Sequence, residues 1–262
     1  MWPEASRGPK ANQDATVSDA TSGVATYLWT QESGPGTITF GTDNAEDTTI
    51  SADTDGLYTL RLTVTDNAGN SNYGEISFRW DTIQPEAFNL SLPADNSWKN
   101  SNMVNFQWEV SADTGSGLAG YQLWMDGSLE EDNIPAIQNS TLTFVGTGDH
   151  LWYVNAIDNA TNVVQSTQTW TVRVDTTAPV VNAGADKVTK VQIAQDATAS
   201  DATSGVAIYS WTKESGPGIV TFGTATAEDT TISAGTDGIY TLRLTVTDNA
   251  GNSNYDEISF TW

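Results

Sequence analysis

The chain has 262 residues, with 33 Asp and Glu against 10 Lys and Arg for a net charge of −23, and no Cys. So acidic a surface repels phosphate backbones and anionic lipid, so neither nucleic acid nor membrane insertion is expected, and the missing Cys excludes thiol and Cys-zinc chemistry. With 38% hydrophobic residues and ten Trp the chain can fill cores, while the start MWPEASRGPK lacks the apolar centre of a signal peptide, so any export signal is expected outside this stretch.

The first predicted domain is residues 1–80. In Tyr58–Asp66 the residues Tyr58, Leu60, Leu62 and Val64 alternate with Thr59, Arg61, Thr63 and Thr65, the period-two pattern of a half-buried strand. Ile76, Phe78 and Trp80 repeat the pattern. DTIQP at Asp81–Pro85 reads as a linker, because proline favours an extended backbone in itself and in the residue before it.

The second domain is residues 81–174, with its own alternation in Tyr121, Leu123, Met125 and in Trp152, Val154, Ala156. A second linker, DTTAP at Asp175–Pro179, opens the third domain, residues 175–262. Residues 193–262 repeat residues 11–80 at a constant offset of 182, with 56 identities in 70 positions. Duplication at this level means duplicated domains. Turn-forming Gly, Asn, Asp and Ser clusters recur about every ten residues, as in all-β sandwiches. The expected fold is all-β, three tandem immunoglobulin-like β-sandwiches arranged as an extended rod. In the first copy MWPEASRGPK replaces DTTAPVVNAGADKVTK, so its first strand is expected to be altered or missing. Trp29, Trp80, Trp108, Trp152, Trp211 and Trp262 are expected in cores.

YSWTKESGPG and YTLRLTVTDNAGN, with their copies in the first domain, resemble the polycystic-kidney-disease (PKD) type of immunoglobulin-like repeat. The middle domain, with FQWEVSADTGSGLAGYQLWMDG and HLWYVNAIDNATN, resembles bacterial immunoglobulin-like or fibronectin type III-like modules. These resemblances imply a spacer or adhesive part of a bacterial surface or secreted protein.

One constellation recurs in all three domains. Asp, Ser-Gly and Tyr appear as Asp19, Ser22, Gly23, Tyr27; as Asp113, Ser116, Gly117, Tyr121; and as Asp201, Ser204, Gly205, Tyr209. A second acidic loop follows 45 to 47 residues after each Asp: Asp66, Asn67, Asn70; Asp158, Asn159, Asn162; Asp248, Asn249, Asn252. In an immunoglobulin-like sandwich these two loops lie at one end, where the linkers would bring Asp81 and Asp175. Asp66 and Asp158 continue the inward strand series, so each is expected to cap its core. A partly buried carboxylate needs a partner, bases are scarce, and calcium takes six to eight oxygens. Calcium is therefore the expected ion, most strongly at the two linker junctions; the competing reading is that these side chains only close their own turns.

Trp98, expected in a polar loop, and Trp124, out of phase with Tyr121, Leu123 and Met125, are candidates for stacking on a sugar. His150 reads as a turn residue, and no carboxylate pair has the split environments that acid–base catalysis requires. The chain is read as a non-enzymatic spacer or adhesive stretch, extracellular or at a cell surface, partnered by neighbouring modules of a longer chain or by a polysaccharide or cell-surface ligand. The alternative is a set of accessory carbohydrate-binding or spacer modules of a secreted hydrolase.

Overall fold

The computed structural model describes residues 6–7, 11–137 and 140–262. The fold is all-β, immunoglobulin-like sandwiches in tandem, and no described residue is helical. The chain divides into two compact units. One comprises Met1–Ser91, Gln107–Thr141 and Trp152–Thr169, the other Leu92–Phe106, Leu142–Leu151 and Trp170–Trp262.

In the first unit, a four-stranded sheet runs in the order Ser6–Arg7, Ser71–Trp80, Gly56–Asp66, Val24–Ser33, and a three-stranded sheet in the order Ala11–Gln13, Thr48–Ala52, Ile38–Phe40. Their facing sides share one core. Trp29, Tyr58, Leu60, Leu62, Phe78 and Trp80 come from the first sheet and Ala11, Ile38 and Ile50 from the second. Alternation builds this arrangement: Tyr58 and Leu60 are fully buried, and each such side chain contributes about 1.5–3 kcal/mol relative to exposure. The altered start is only partly described: Ser6–Arg7 pairs in parallel with Arg79–Trp80, while residues 1–5 and 8–10 lie outside the described residues.

The same unit holds the strand Leu118–Met125, which pairs antiparallel with Trp152–Asp158 on one side and Ser128–Pro135 on the other. Tyr121 lies at the centre of its packing. Phe88 and Trp108 meet its ring edge-on at centroid distances of 5.8 and 5.3 Å, and its hydroxyl accepts the Ser111 N–H at 2.8 Å.

In the second unit, the strands repeat the first pattern. Lys187–Val188, Ser253–Thr261, Ile239–Asp248 and Val206–Ser215 form one sheet, and Ile193–Gln195, Thr230–Ala234 and Val220–Phe222 the other. One element goes beyond the repeat: Val180–Asn182 pairs antiparallel with Thr198–Ser200. Trp98, expected in a loop, sits in the strand Ser97–Lys99, which pairs in parallel with Val172–Val174. His150, expected in a turn, lies within the strand Gly148–Asp158, its Nε2 3.1 Å from the Gly146 carbonyl oxygen. Five of the six core tryptophans are buried, at 0 to 4% exposure; Trp262 packs half-buried against Phe260.

Candidate functional site: two trios of aspartates

Strand register brings the acidic loops together. Leu118, directly after the Ser116-Gly117 turn, pairs with Asp158, and Val206, after Ser204-Gly205, pairs with Asp248. Gly117 and Gly205 adopt φ values of 83° and 77°, a left-handed conformation that glycine enters without a Cβ penalty. The two loops are then laced across. Asn159 donates its side-chain amide to the carbonyls of Ser116 and Gly117, both at 3.0 Å, and Asn249 does the same to Ser204 and Gly205 at 2.7 and 3.1 Å.

The linkers complete each site. Asp81, Asp113 and Asp158 each offer a carboxylate oxygen within 4.8 Å of the others, and Asp175, Asp201 and Asp248 do likewise. Each trio lies inside a single unit. Asp81 and Asp175 are 0% exposed, Asp158 is 1% and Asp248 is 2%, whereas Asp113 and Asp201 are half-buried. Among the described residues no Lys or Arg pairs with any of the six.

Backbone N–H groups, side-chain amides and, at Asp201, the Ser204 hydroxyl at 3.3 Å supply the compensation seen among the described residues. The Ser116 N–H donates to Asp81 at 2.6 Å, the Gly117 N–H to Asp113 at 2.7 Å, and the Asn162 N–H and side-chain amide to Asp158, both at 2.8 Å. In the second trio the Ser204 N–H donates to Asp175 at 3.1 Å and to Asp201 at 2.7 Å, while Asn252 serves Asp248 twice at 2.9 Å. Burial pushes the Asp201 carboxyl up, but the N–H groups of Gly205, Ser204 and Thr203 outweigh it and hold the group below its ordinary value. The asparagines act here as braces. Asn162 also reaches the carbonyl oxygens of Asp81 and Ile83, at 3.2 and 3.1 Å, and so ties linker to loop.

The first domain carries the same two loops, and among the described residues no third carboxylate joins them. Asp19 accepts N–H groups from Gly23, Ser22 and Thr21, and those three hold it below its ordinary value. Asp66 is lowered by the Asn70 side chain and backbone. Asn67 laces Ser22 and Gly23 as its counterparts do. Asp66 is only half-buried, unlike Asp158 and Asp248.

Trp98 and Trp124 do not stand clear of the surface. Both are half-buried. The Arg173 guanidinium lies 5.6 Å from the Trp98 ring centre, and Trp124 stacks on its cross-strand partner Tyr153 at 6.0 Å and 6°. Each ring already has a partner.

Sequence reasoning missed Gly115. A Cβ there would overlap the Asp81 carboxylate, so this glycine lets the linker acid seat against the loop. It also missed the second anchor of the linker: the Thr82 N–H donates to Asp55 at 3.1 Å, so Asp81 is fixed from both sides.

Comparison with known proteins follows from this geometry. Residues 10–78 and 183–261 match the K319L-like PKD domain family. The chain is 27% identical over 263 residues to the mouse (Mus musculus) dyslexia-associated protein KIAA0319 homolog, covering 92% of this chain but only 23% of that protein's length. Among solved structures it is similar to the fibronectin(III)-like modules of Clostridium thermocellum CbhA, with 17% identity, TM-score 0.48, 66% of this chain and 88% of that chain covered. It is also similar to the PKD domain from KIAA 1837 protein, with 18% identity, TM-score 0.28, 33% of this chain and 89% of that one. The repeated first and third domains account for both matched segments, 69 and 79 residues of 262, and the chain belongs to the K319L-like PKD domain family.

Proposed function

We propose that this chain is a non-catalytic structural or adhesive stretch of a longer extracellular protein, whose linkers are stiffened by calcium held in the two aspartate trios. The observation that carries the reading is the burial of the linker acids Asp81 and Asp175 against two further carboxylates, with no Lys or Arg paired with them among the described residues. Three negative charges within 4.8 Å, two of them out of water, cost several kcal/mol unless a cation or a proton joins them. Carboxylate oxygens are the ligands calcium prefers, and the chain's acidic surface would concentrate it. Asp81, Asp113 and Asp158 would hold one ion, and Asp175, Asp201 and Asp248 a second. The pair Asp19 and Asp66, which no third carboxylate joins among the described residues, is the weaker site.

Because each trio draws one ligand from a linker and two from the following domain, an ion there would restrict the linker. Calorimetric titration with calcium tests this: the expected result is two ions bound per chain, with a higher melting temperature in millimolar calcium than in chelator. No binding heat together with identical melting curves would overturn the calcium reading. Small-angle scattering in the same two conditions tests the stiffening separately, a narrower spread of dimensions being expected in calcium.

A further inference from the structure

The two trios are built from the same parts, yet their turns distribute N–H groups differently. In the turn Asp113–Gly117 the residue before the serine is Gly115; in Asp201–Gly205 it is Thr203. A Cβ at Gly115 would overlap the Asp81 carboxylate, so that linker acid occupies space which a side chain would otherwise fill. Asp81 thereby takes the Ser116 N–H at 2.6 Å. Beside Thr203 the linker acid stands further off. Asp175 accepts the Ser204 N–H at 3.1 Å, and that N–H lies nearer to Asp201, at 2.7 Å.

The loop acids are left in different states. Asp201 accepts at one oxygen, Oδ1, from the N–H groups of Thr203, Ser204 and Gly205 and from the Ser204 hydroxyl, at 2.7 to 3.3 Å. Asp113 accepts one N–H among the described residues, that of Gly117 at 2.7 Å. The Ser116 oxygen instead accepts the Ala160 N–H at 3.1 Å. The remaining contacts match: Ile83 and Thr177 each donate an N–H to the linker acid, and Asn162 and Asn252 serve Asp158 and Asp248 alike. A hydrogen bond to a carboxylate draws on the lone pairs that a cation would use, and it stabilises the ion-free state. Oδ1 of Asp201 is saturated, which leaves Oδ2 to ligate. Asp113 keeps free lone pairs on both oxygens and can take calcium through one or both.

We infer, resting on the calcium reading above, that the two trios differ in affinity and that Gly115 and Thr203 set the difference. Asp81, Asp113 and Asp158 form the tighter site, because the same number of charges is left there with fewer donors to compensate it. Calcium then restricts the Asp81–Pro85 linker at a lower concentration than the Asp175–Pro179 linker, so stiffening proceeds in two stages as calcium rises. Thr21 holds the position of Thr203 in the first domain, and there too the loop acid, Asp19, collects the N–H groups of the three residues that end its turn, Thr21, Ser22 and Gly23.

The test is a calorimetric titration of the whole chain with calcium, on wild type, Asp113→Asn, Asp201→Asn and Thr203→Gly. Wild type should show two classes of site about tenfold or more apart, the worth of one hydrogen bond to a charged group. Asp113→Asn should remove the tight class and Asp201→Asn the weak one. Thr203→Gly, at an exposed position, gives Asp175 the room that Gly115 gives Asp81. It should tighten the weak class by about tenfold without moving the tight one, a gain that damage to the fold cannot produce. Two equal sites, a tight class that goes with Asp201→Asn, or a weak class that Thr203→Gly leaves unchanged overturns the inference and leaves calcium binding standing. No binding of calcium by any of the four chains overturns the calcium reading and the inference together.

Discussion

The side-chain amide of Asn162 donates both to the backbone oxygen of Asp81 at 3.2 Å and to the carboxylate of Asp158 at 2.8 Å, so one residue holds a linker against a loop. Asn252 repeats this with Asp175 at 2.8 Å and Asp248 at 2.9 Å. The side-chain amide of Asn70, in the first domain, has only Asp66 among the described residues. Removing a donor from a buried, charged acceptor costs about 1.5–3 kcal/mol, and less at an exposed one. Asn162→Ala should therefore destabilise the chain by that amount in urea unfolding, and Asn70→Ala by under about 1 kcal/mol. Equal losses would show that the linker contact contributes nothing.

Charge within the trios gives a prediction of opposite signs. Asp158→Asn and Asp248→Asn each remove one of three crowded negative charges. In chelator both variants should melt above wild type, because repulsion falls. In saturating calcium both should melt below it, since a ligand held at a hundredfold excess over Kd adds about 2.7 kcal/mol to the wild type alone. Thermal scans of the three proteins in the two buffers read this directly. A variant that melts lower in both has lost structure for a reason other than calcium.

Acid should weaken both repeated domains. Asp19, Asp66 and Asp201 are held below their ordinary carboxyl value by hydrogen bonds from neighbouring N–H groups. A carboxylate depressed on folding adds stability that is complete above its unfolded value, about pH 4, and is lost as pH falls through the folded value. The melting temperature should thus be flat from pH 7 to about 5 with respect to these groups and should fall below about pH 4. Asp19→Asn should shrink that fall in the first domain.

Thr161 has φ of 71°, at the position where the repeated domains have Gly69 and Gly251 at 89° and 94°. A β-branched residue in the left-handed region is strained by about 1–2 kcal/mol. Thr161→Gly should relieve part of this and raise stability by about 0.5–1 kcal/mol after the entropy that glycine loses on folding. Chemical denaturation checks it, and a loss of stability would mean that the threonine is not strained.

Alternation of apolar residues was enough to place Tyr58, Leu60 and Leu62, or Trp152, Val154 and Ala156, on the core side, and carrying that parity onward put Asp158 at the core's edge. Local pattern could do this because a strand's period is a property of its own residues. The pairing of Ser97–Lys99 with Val172–Val174 joins residues more than seventy positions apart through three-residue strands, too short for a period to register, so Trp98 read as a loop residue. Gly115 carried no pattern at all; its role appears only once Asp81 lies against it. The unequal burial of Val64 and Ile76 against Val246 and Ile258 was hidden by likeness. With 56 of 70 positions identical, the two domains read alike, and the strand Val180–Asn182 lies outside the repeated segment.

That difference predicts unequal protection of equivalent cores. The strands Gly56–Asp66 and Ile239–Asp248 share the sequence YTLRLTVTD and make the same antiparallel pairings, so their intrinsic exchange rates and hydrogen-bond partners match. What differs is cover. Leu62 is 7% exposed against 0% for Leu244, and half-buried Val64 and Ile76 face Val246 and Ile258 at 0% and 2%. Local opening is easier where fewer apolar contacts are broken. Hydrogen exchange should therefore be faster at Leu62–Asp66 than at Leu244–Asp248, whereas Tyr58 and Leu60, buried as fully as Tyr240 and Leu242, should differ less from their twins. Calcium saturation should leave the contrast in place, because it arises from packing along the sheet edge. Equal rates at Val64 and Val246 would mean that the difference in burial does not loosen the core.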